Sequence, residues 1–384
     1  PAPEGPEEGA NGSAQAAARA TLTQAVRSSW YTGFAPTVRE SVEQTALVVG
    51  GGAAGMRTAL DLAALGHSVH LVEQHEVLGG NLGTARFTLK GGDAQTLLKD
   101  LESTVRAHEQ VQVYTGARVV AAQGRVGAFR TELETADGAV EVLHGAVAFT
   151  TGASEVKPSC YGYGDSTKVV TQKELEGRLA DGEVSAKDVV MIQCVESRET
   201  AEGCRPYCSR VCCTHALKNA LKILDADPEA QVTVLYRDLR AYGANEHAYR
   251  EARDRGVLFV PFELDQRPVV DASGDSVSVR YTDPGLGAEV TDTPDLVTLS
   301  TGMAPDAAEN ARLAGLYGVE TDANGFFREK SAKAATTDFT VKGLYMAGLC
   351  HAPKHIEESL AQAGAAAGRC SALLSKDRAS SEKA

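Results

Sequence analysis

Five of the eight cysteines in this 384-residue chain, Cys194, Cys204, Cys208, Cys212 and Cys213, fall within one stretch of twenty residues. Three of them crowd the opening of "RPYCSRVCCTHALKNALK", residues 205–222, whose pattern predicts a helix starting there. On a helix, Cys208 and Cys212 lie four apart on one face, and Cys213 sits about 100° round. With Cys208 still in the preceding loop all three can converge, and Cys194, at the end of a strand, supplies a fourth thiol. Four convergent thiolates suit an iron–sulfur cluster, and a helix N-terminus favours the thiolate form. A zinc site, a strained vicinal Cys212–Cys213 disulfide and inert buried cysteines are the competing readings. Cys204 competes with Cys194 for the fourth position.

A second motif lies far upstream. In "TALVVGGGAAGMRTALDLAALGHSVHLVEQ", residues 45–74, a strand at 46–49 meets Gly50-x-Gly52-x-x-Gly55. An Ala/Leu-rich helix follows, then a strand at Ser68–Val72 that ends at Glu73. This is the βαβ dinucleotide fingerprint in its full context. The glycines allow a tight turn and close backbone approach, the helix N-terminus offers N–H groups to a pyrophosphate, and Glu73 can accept a ribose hydroxyl. The next turn, "EVLGGN", with Gly79, Gly80 and Asn81, is typical of FAD sites, so FAD rather than NAD is expected here.

The elements that must position these groups can be read in outline. Residues 111–150 read as a meander of short strands ending in "AVAFTTGAS", which carries Thr151 and Gly152. A matching strand and turn recur at "DLVTLSTGMAP". The two returns bracket an insertion with a helix near Gln172–Ala180, a strand at 188–193, the cysteine helix and further strands. That is a second βαβ unit, but no GxGxxG follows its first strand, which argues against a nicotinamide dinucleotide there. Near the C-terminus, "HAPKHIEESLAQAGAAAG" predicts a closing helix after Gly348, with His351 and His355 as packing or solvent-facing residues. No tandem repeat is visible. The expected class is α/β, a two-dinucleotide-binding-domain flavoprotein fold of the thioredoxin/glutathione reductase type, with the second domain inserted in the first. The expected divisions are a disordered leader and linker at 1–43, the FAD-binding domain at 44–158 and 300–375, the inserted module at 159–299, and a polar tail at 376–384. Within the leader, a short helix is expected after Arg19, and Trp30, Tyr31 and Phe34 are candidate docking residues.

The net charge of −13 argues against nucleic acid or an anionic membrane as partner. No apolar run approaches the roughly 20 residues that span a bilayer, and no secretory leader is read at the start. Clustered thiols without such a leader suggest a reducing compartment, the cytoplasm. Pro1 in place of methionine reads as a fragment or a processed chain.

The pieces "ALVVGGGAAGM", "VEQHEVLGGNL", "YGYGDSTKVVTQKELE", "MIQCVESRE", "RPYCSRVCCTHALKNALK", "VLYRDLRAYG" and "GLYMAGLCHAPKHIEESLAQAGAAA" together resemble the A subunit of heterodisulfide reductase. The resemblance covers about 45–375 and is most specific at "PYCSRVCC". It implies a thioredoxin-reductase-like fold, bound FAD, and one four-iron, four-sulfur cluster on a Cys-x(n)-Cys-x3-Cys-Cys pattern. That pattern falls on Cys194, Cys208, Cys212 and Cys213 and leaves Cys204 as an extra thiol. The resemblance also places Lys218 and Glu176 near the flavin. It implies B- and C-type partner subunits, ferredoxin or a hydrogenase/flavin oxidoreductase module, and a homo-oligomer within a complex. Electron bifurcation between ferredoxin and a disulfide-type acceptor belongs to the same implication. The "AGLCHAPK" segment replaces the Gly-Asp pair usual in flavoproteins, a substitution the family shares. The N-terminal cluster domain and ferredoxin-type cysteine runs of longer members do not occur, so a short form or internal fragment is expected. Two other readings are a pyridine-nucleotide-dependent FAD disulfide oxidoreductase and a non-redox FAD scaffold.

Overall fold

The computed structural model describes residues 19–22, 38–376 and 378–381. Leader residues 1–18, together with Trp30, Tyr31 and Phe34, lie outside the described residues; residues 19–22 form a helical turn.

Strand Thr45–Val49 is the centre of a five-stranded parallel sheet, because its alternating apolar residues are buried on both faces. The strand order is Leu344–Met346, Ala146–Phe149, Thr45–Val49, Ser68–Val72, Val111–Tyr114. Ala46 and Val48 face one cluster, packed by helices Ala53–Ala64, Ala94–Ala107 and Ile356–Leu374. Leu47 and Val49 face the other, covered by the antiparallel strands Arg118–Arg125, Ala128–Thr135 and Gly138–His144. The meander therefore begins at Arg118. Residues 111–114, read above as its first strand, join the parallel sheet instead, where they pair with Ser68–Val72.

The second unit repeats this plan. Its parallel sheet runs Val169–Thr171, Leu296–Leu299, Asp188–Ile192, Gln231–Tyr236, Leu258–Pro261. Helices Gln172–Ala180, Cys212–Ala226 and Glu246–Asp254 cover one face. The antiparallel strands Val269–Asp271, Ser278–Asp283 and Ala288–Asp292 cover the other. The duplication is one of architecture without a tandem sequence repeat, because burial on both faces constrains only apolarity and spacing. Two short antiparallel strands, Ser154–Glu155 and Met303–Ala304, carry the chain between the units. A further difference lies at the ends. Val38–Ser41, in the expected linker, pairs antiparallel with Arg378–Ser381, in the expected polar tail. Backbone pairing between remote segments leaves no periodic signal in either one.

Candidate functional site

A cavity of about 1150 Å³ lies at the carboxyl ends of the first sheet's strands, against the second unit. That is where open α/β sheets bind ligands. Gly50, Gly52, Glu73, Gly79, Gly80, Asn81, Thr151, Gly152 and Gly348 all line it. Gly55 does not, and its role is steric: a Cβ there would stand 1.8 Å from the Gly50 carbonyl oxygen. Gly52 differs, since a Cβ built on it meets nothing nearer than the Gly79 carbonyl at 4.0 Å. It is the N-cap of helix Ala53–Ala64 and has no side chain to cap the first N–H groups. Those donors are left for an anion. Glu73 is held by backbone, accepting the Gly51 N–H at 2.7 Å and the His75 N–H at 2.9 Å. The open cradle over Gly52, with the carboxylate at the end of the next strand, fits a dinucleotide.

The second unit contributes a wall of the cavity through helix Cys212–Ala226, from which Thr214, His215 and Lys218 project, together with Val211 just before it. Glu176 does not line the cavity; it is buried behind Lys218. Its carboxylate accepts from the Arg86 N–H at 2.7 Å, the Phe87 N–H at 3.3 Å, His215 Nε2 at 2.7 Å and Lys218 Nζ at 2.8 Å. These four donors hold it behind the cavity wall and tie the first unit's 86–87 loop to the second unit. Burial pushes the Glu176 carboxyl up, but His215 and Lys218 outweigh it and bring it down to about 2. Burial lowers both His215 and Lys218 from their ordinary ranges, and the Glu176 carboxylate beside them pushes each back up.

The cysteine loop begins where a glycine loop would stand. Cys194, Glu196, Arg198 and Arg210 all hold left-handed backbone, with φ between 49° and 63°. Non-glycine residues seldom adopt this conformation, and it clusters at functional sites. Cys208 lies in the loop, and Cys212 opens the helix. Burial, then Cys213, Cys194 and Cys208, push the Cys212 thiol well above its ordinary range. Cys194 and Cys208 likewise raise Cys213, after burial. These four thiols thus lie within electrostatic reach of one another. Cys204 is turned elsewhere, its thiol donating to Glu199 Oε2 at 3.8 Å. The sulfurs also meet donors that suit thiolates. The Arg210 N–H reaches Cys208 Sγ at 3.3 Å, the Arg240 N–H reaches Cys213 Sγ at 3.3 Å, and Arg198 Nη1 reaches Cys194 Sγ at 3.7 Å. All eight cysteines are free, and among the described residues no group of three or more His, Cys, Asp or Glu side chains is placed to hold a metal ion. The donor types, four thiols with arginines nearby to offset negative charge, are those a soft metal cluster takes, although the thiols as placed do not form a metal site.

Some site residues escaped the sequence reading. Lys354 is only 8% exposed, lines the cavity and donates to the Gly348 and Ala352 carbonyls; burial lowers its amine to about 8. Among the described residues it forms no ion pair. Its only signal was a charged residue ahead of the closing helix. His215 was readable as the residue one turn before Lys218, on the same face. Asn310, which accepts from Thr151 Oγ1 at 2.8 Å, had no signal. His351 contacts Glu329 and Gln362, and His355 precedes the closing helix as its N-cap.

Two parallel-sheet units of one plan, one with a glycine cradle and one with a thiol loop, define a two-unit dinucleotide-binding oxidoreductase. The chain belongs to the pyridine nucleotide-disulphide oxidoreductase family, whose model matches residues 44–367. Membership supports FAD as the dinucleotide of the first unit. Among solved structures, the T. acidophilum thioredoxin reductase matches with a TM-score of 0.58 at 19% identity, over 86% of this chain and 99% of that one. The Lactococcus lactis thioredoxin reductase matches with a TM-score of 0.58 at 16% identity, over 87% and 99%. The fold is therefore of the thioredoxin reductase type. In sequence, the chain is similar to the A subunit of the H(2):CoB-CoM heterodisulfide,ferredoxin reductase of Methanothermobacter thermautotrophicus. Identity is 29%, over 88% of this chain and 65% of that protein. It is also similar to the iron-sulfur A subunit of the CoB–CoM heterodisulfide reductase of Methanocaldococcus jannaschii, at 30% identity over 86% and 64%. The chain thus spans just under two thirds of the length of these relatives. Among the described residues no helix is long and apolar enough to cross a membrane.

Proposed function

We propose that this chain is the FAD- and iron–sulfur-carrying electron-transfer subunit of a heterodisulfide-reductase-like complex. B- and C-type subunits would be its partners, with ferredoxin or a hydrogenase or flavin oxidoreductase module exchanging electrons with it. Electron pairs would be divided between ferredoxin and a disulfide-type acceptor. One observation carries the reading: helix Cys212–Ala226 begins with two thiols of the four-cysteine set and, within two turns, lines the dinucleotide cavity with His215 and Lys218. FAD, when bound, supplies two-electron chemistry that can be released as single electrons, and an iron–sulfur cluster relays one at a time. Cys194, Cys208, Cys212 and Cys213 would hold that cluster.

The chain's own residues have definable tasks. The helix N-terminus at Gly52 would bind the pyrophosphate of FAD, and Glu73 would accept a ribose hydroxyl. The Glu176–Lys218 pair holds the cavity wall and sets the charge beside it. Lys218→Met leaves the buried Glu176 carboxylate without its cation, so reducing the flavin becomes harder. Glu176→Gln leaves the cation unopposed, so reduction becomes easier. For one charge at the cavity wall in partly screened surroundings, shifts on the order of 50 mV in opposite directions are expected. Potentiometric titration of both variants checks this. Unchanged potentials, or shifts of one sign, would make the pair a structural clamp alone.

A further inference from the structure

Two of the lysines that line the dinucleotide cavity are largely buried, Lys218 of the second unit and Lys354 of the first. They differ in what answers their charge. Lys218 Nζ lies 2.8 Å from Glu176, so its charge is matched within the protein. Lys354 donates to the Gly348 carbonyl at 2.5 Å and the Ala352 carbonyl at 2.7 Å, both neutral acceptors. An ammonium has three N–H donors, so one is left over. The carboxylates whose charge reaches it are already engaged, Glu358 with Arg210 at 2.6 Å and Glu329 with His351 at 3.3 Å. Arg210 adds a second positive charge beside it. A buried ammonium without a counter-ion is costly. Its place relative to the glycine cradle is also set. Gly348 follows strand Leu344–Met346 and holds a φ of 80°. A Cβ there would stand 2.8 Å from the Ala54 Cβ, so the turn that Lys354 grips packs on the first turn of helix Ala53–Ala64. That is the turn whose N–H groups Gly52 leaves uncapped. The ammonium and the uncapped donors adjoin, and both attract a negative group.

We propose that Lys354 is a binding residue for the first unit's dinucleotide, its ammonium neutralised by an anion of the cofactor, the pyrophosphate or the reduced isoalloxazine. This role rests on the reading of that dinucleotide as FAD. It carries a pH signature. In the protein alone, burial lowers the Lys354 amine to about 8. Pairing with an anion holds the proton on the amine, so its pKa rises on binding. Affinity is then complete below about 8 and falls as pH rises through that value. The other charged and titratable groups facing Lys354 are Arg210 of the thiol loop, Glu358 of the closing helix and Glu329, with Cys350, His351 and His355 on its own segment. Burial raises the Cys350 thiol and lowers both histidines, away from this range on opposite sides.

The experiment uses the anaerobically purified full chain. The FAD dissociation constant is measured by ultrafiltration, for oxidised and dithionite-reduced flavin, at pH values on both sides of the Lys354 titration. In the unaltered chain affinity should fall roughly tenfold for each pH unit above it, until the bound form also loses its proton. Lys354→Gln keeps a donor for the carbonyls without the charge. At the lower pH it should bind FAD roughly ten- to hundredfold more weakly, the worth of a charge-assisted hydrogen bond, and show no such pH dependence. Lys354→Arg should recover affinity and keep it at high pH, because a guanidinium does not titrate there. The two redox forms separate the two anions, and either result upholds the role. Equal losses in both forms assign the pyrophosphate. A loss confined to reduced FAD assigns the ring and lowers the midpoint potential by about 30 mV per tenfold. Unchanged affinity for both forms in Lys354→Gln would overturn the role and leave Lys354 a cap on the Gly348 turn. Flavin bound by the unaltered chain with no pH dependence would overturn this role alone. No flavin bound at any pH would sink the FAD reading, and this role with it.

Discussion

Replacing Cys208 with alanine is expected to strip the chain of its iron while leaving its flavin in place. Cys208 sits in the loop before helix Cys212–Ala226, where its sulfur accepts the Arg210 N–H and acts electrostatically on Cys194, Cys212 and Cys213. Removing one of four thiolates should lower cluster affinity by more than the roughly 10- to 100-fold that loss of an outer-shell partner brings. The fold should tolerate the change, because Cys208 lies outside regular elements and is only partly buried. FAD should remain, since its cradle at Gly52 and Glu73 is built by the other sheet. Cys194→Ala should lose iron as well. Cys204→Ala should keep it, because that thiol points to Glu199. Iron assay beside flavin absorbance decides the matter, and full iron in Cys208→Ala would remove Cys208 from the ligand set.

Gly52→Val should yield folded protein without flavin, and Gly55→Ala should fail to fold. The two glycines share one motif but meet different surroundings. A side chain at residue 52 enters the open cavity, where it occupies the space of the pyrophosphate and covers the helix N–H donors. Flavin affinity should fall by roughly 100-fold or more, since both contact and approach are lost. At residue 55 the new Cβ would overlap the Gly50 carbonyl, backbone that cannot step aside. Circular dichroism, thermal unfolding and flavin content of the two purified variants check this contrast. Native flavin occupancy in Gly52→Val would take the fingerprint out of the binding site.

The contrast between these glycines shows what the sequence could carry. GxGxxG between a strand and a helix locates the cradle because turn, helix start and acid occur in a fixed local order. Which glycine faces the ligand and which faces backbone is a matter of three dimensions. The same limit applies to charge. The resemblance names Lys218 and Glu176 together, but their ion pair joins separate helices, and nothing local announces that the carboxylate is buried behind the lysine. Lys354 gives little warning, because a buried lysine that donates to backbone carbonyls looks, in sequence, like any surface lysine. The cysteine stretch was legible as a concentration of thiols, and the contacts that separate Cys204, donating to Glu199, from Cys194, beside Arg198, were not. Left-handed turns at Cys194, Glu196 and Arg198 direct this loop without glycines to signal them. The place of Val111–Tyr114 in the parallel sheet and the terminal pair of Val38–Ser41 with Arg378–Ser381 escaped for another reason. Short strands at an edge take their identity from a partner remote in sequence.

On the proposed function, one chain carries both a flavin and an iron–sulfur cluster. Counting iron and flavin in anaerobically purified protein, with the visible spectrum recorded before and after reduction, tests it most directly. The account predicts one FAD and one four-iron cluster per chain, with broad absorption beneath the flavin bands that bleaches on reduction. Full flavin with no iron in protein never exposed to oxygen would contradict it and leave a flavin disulfide oxidoreductase without a cluster.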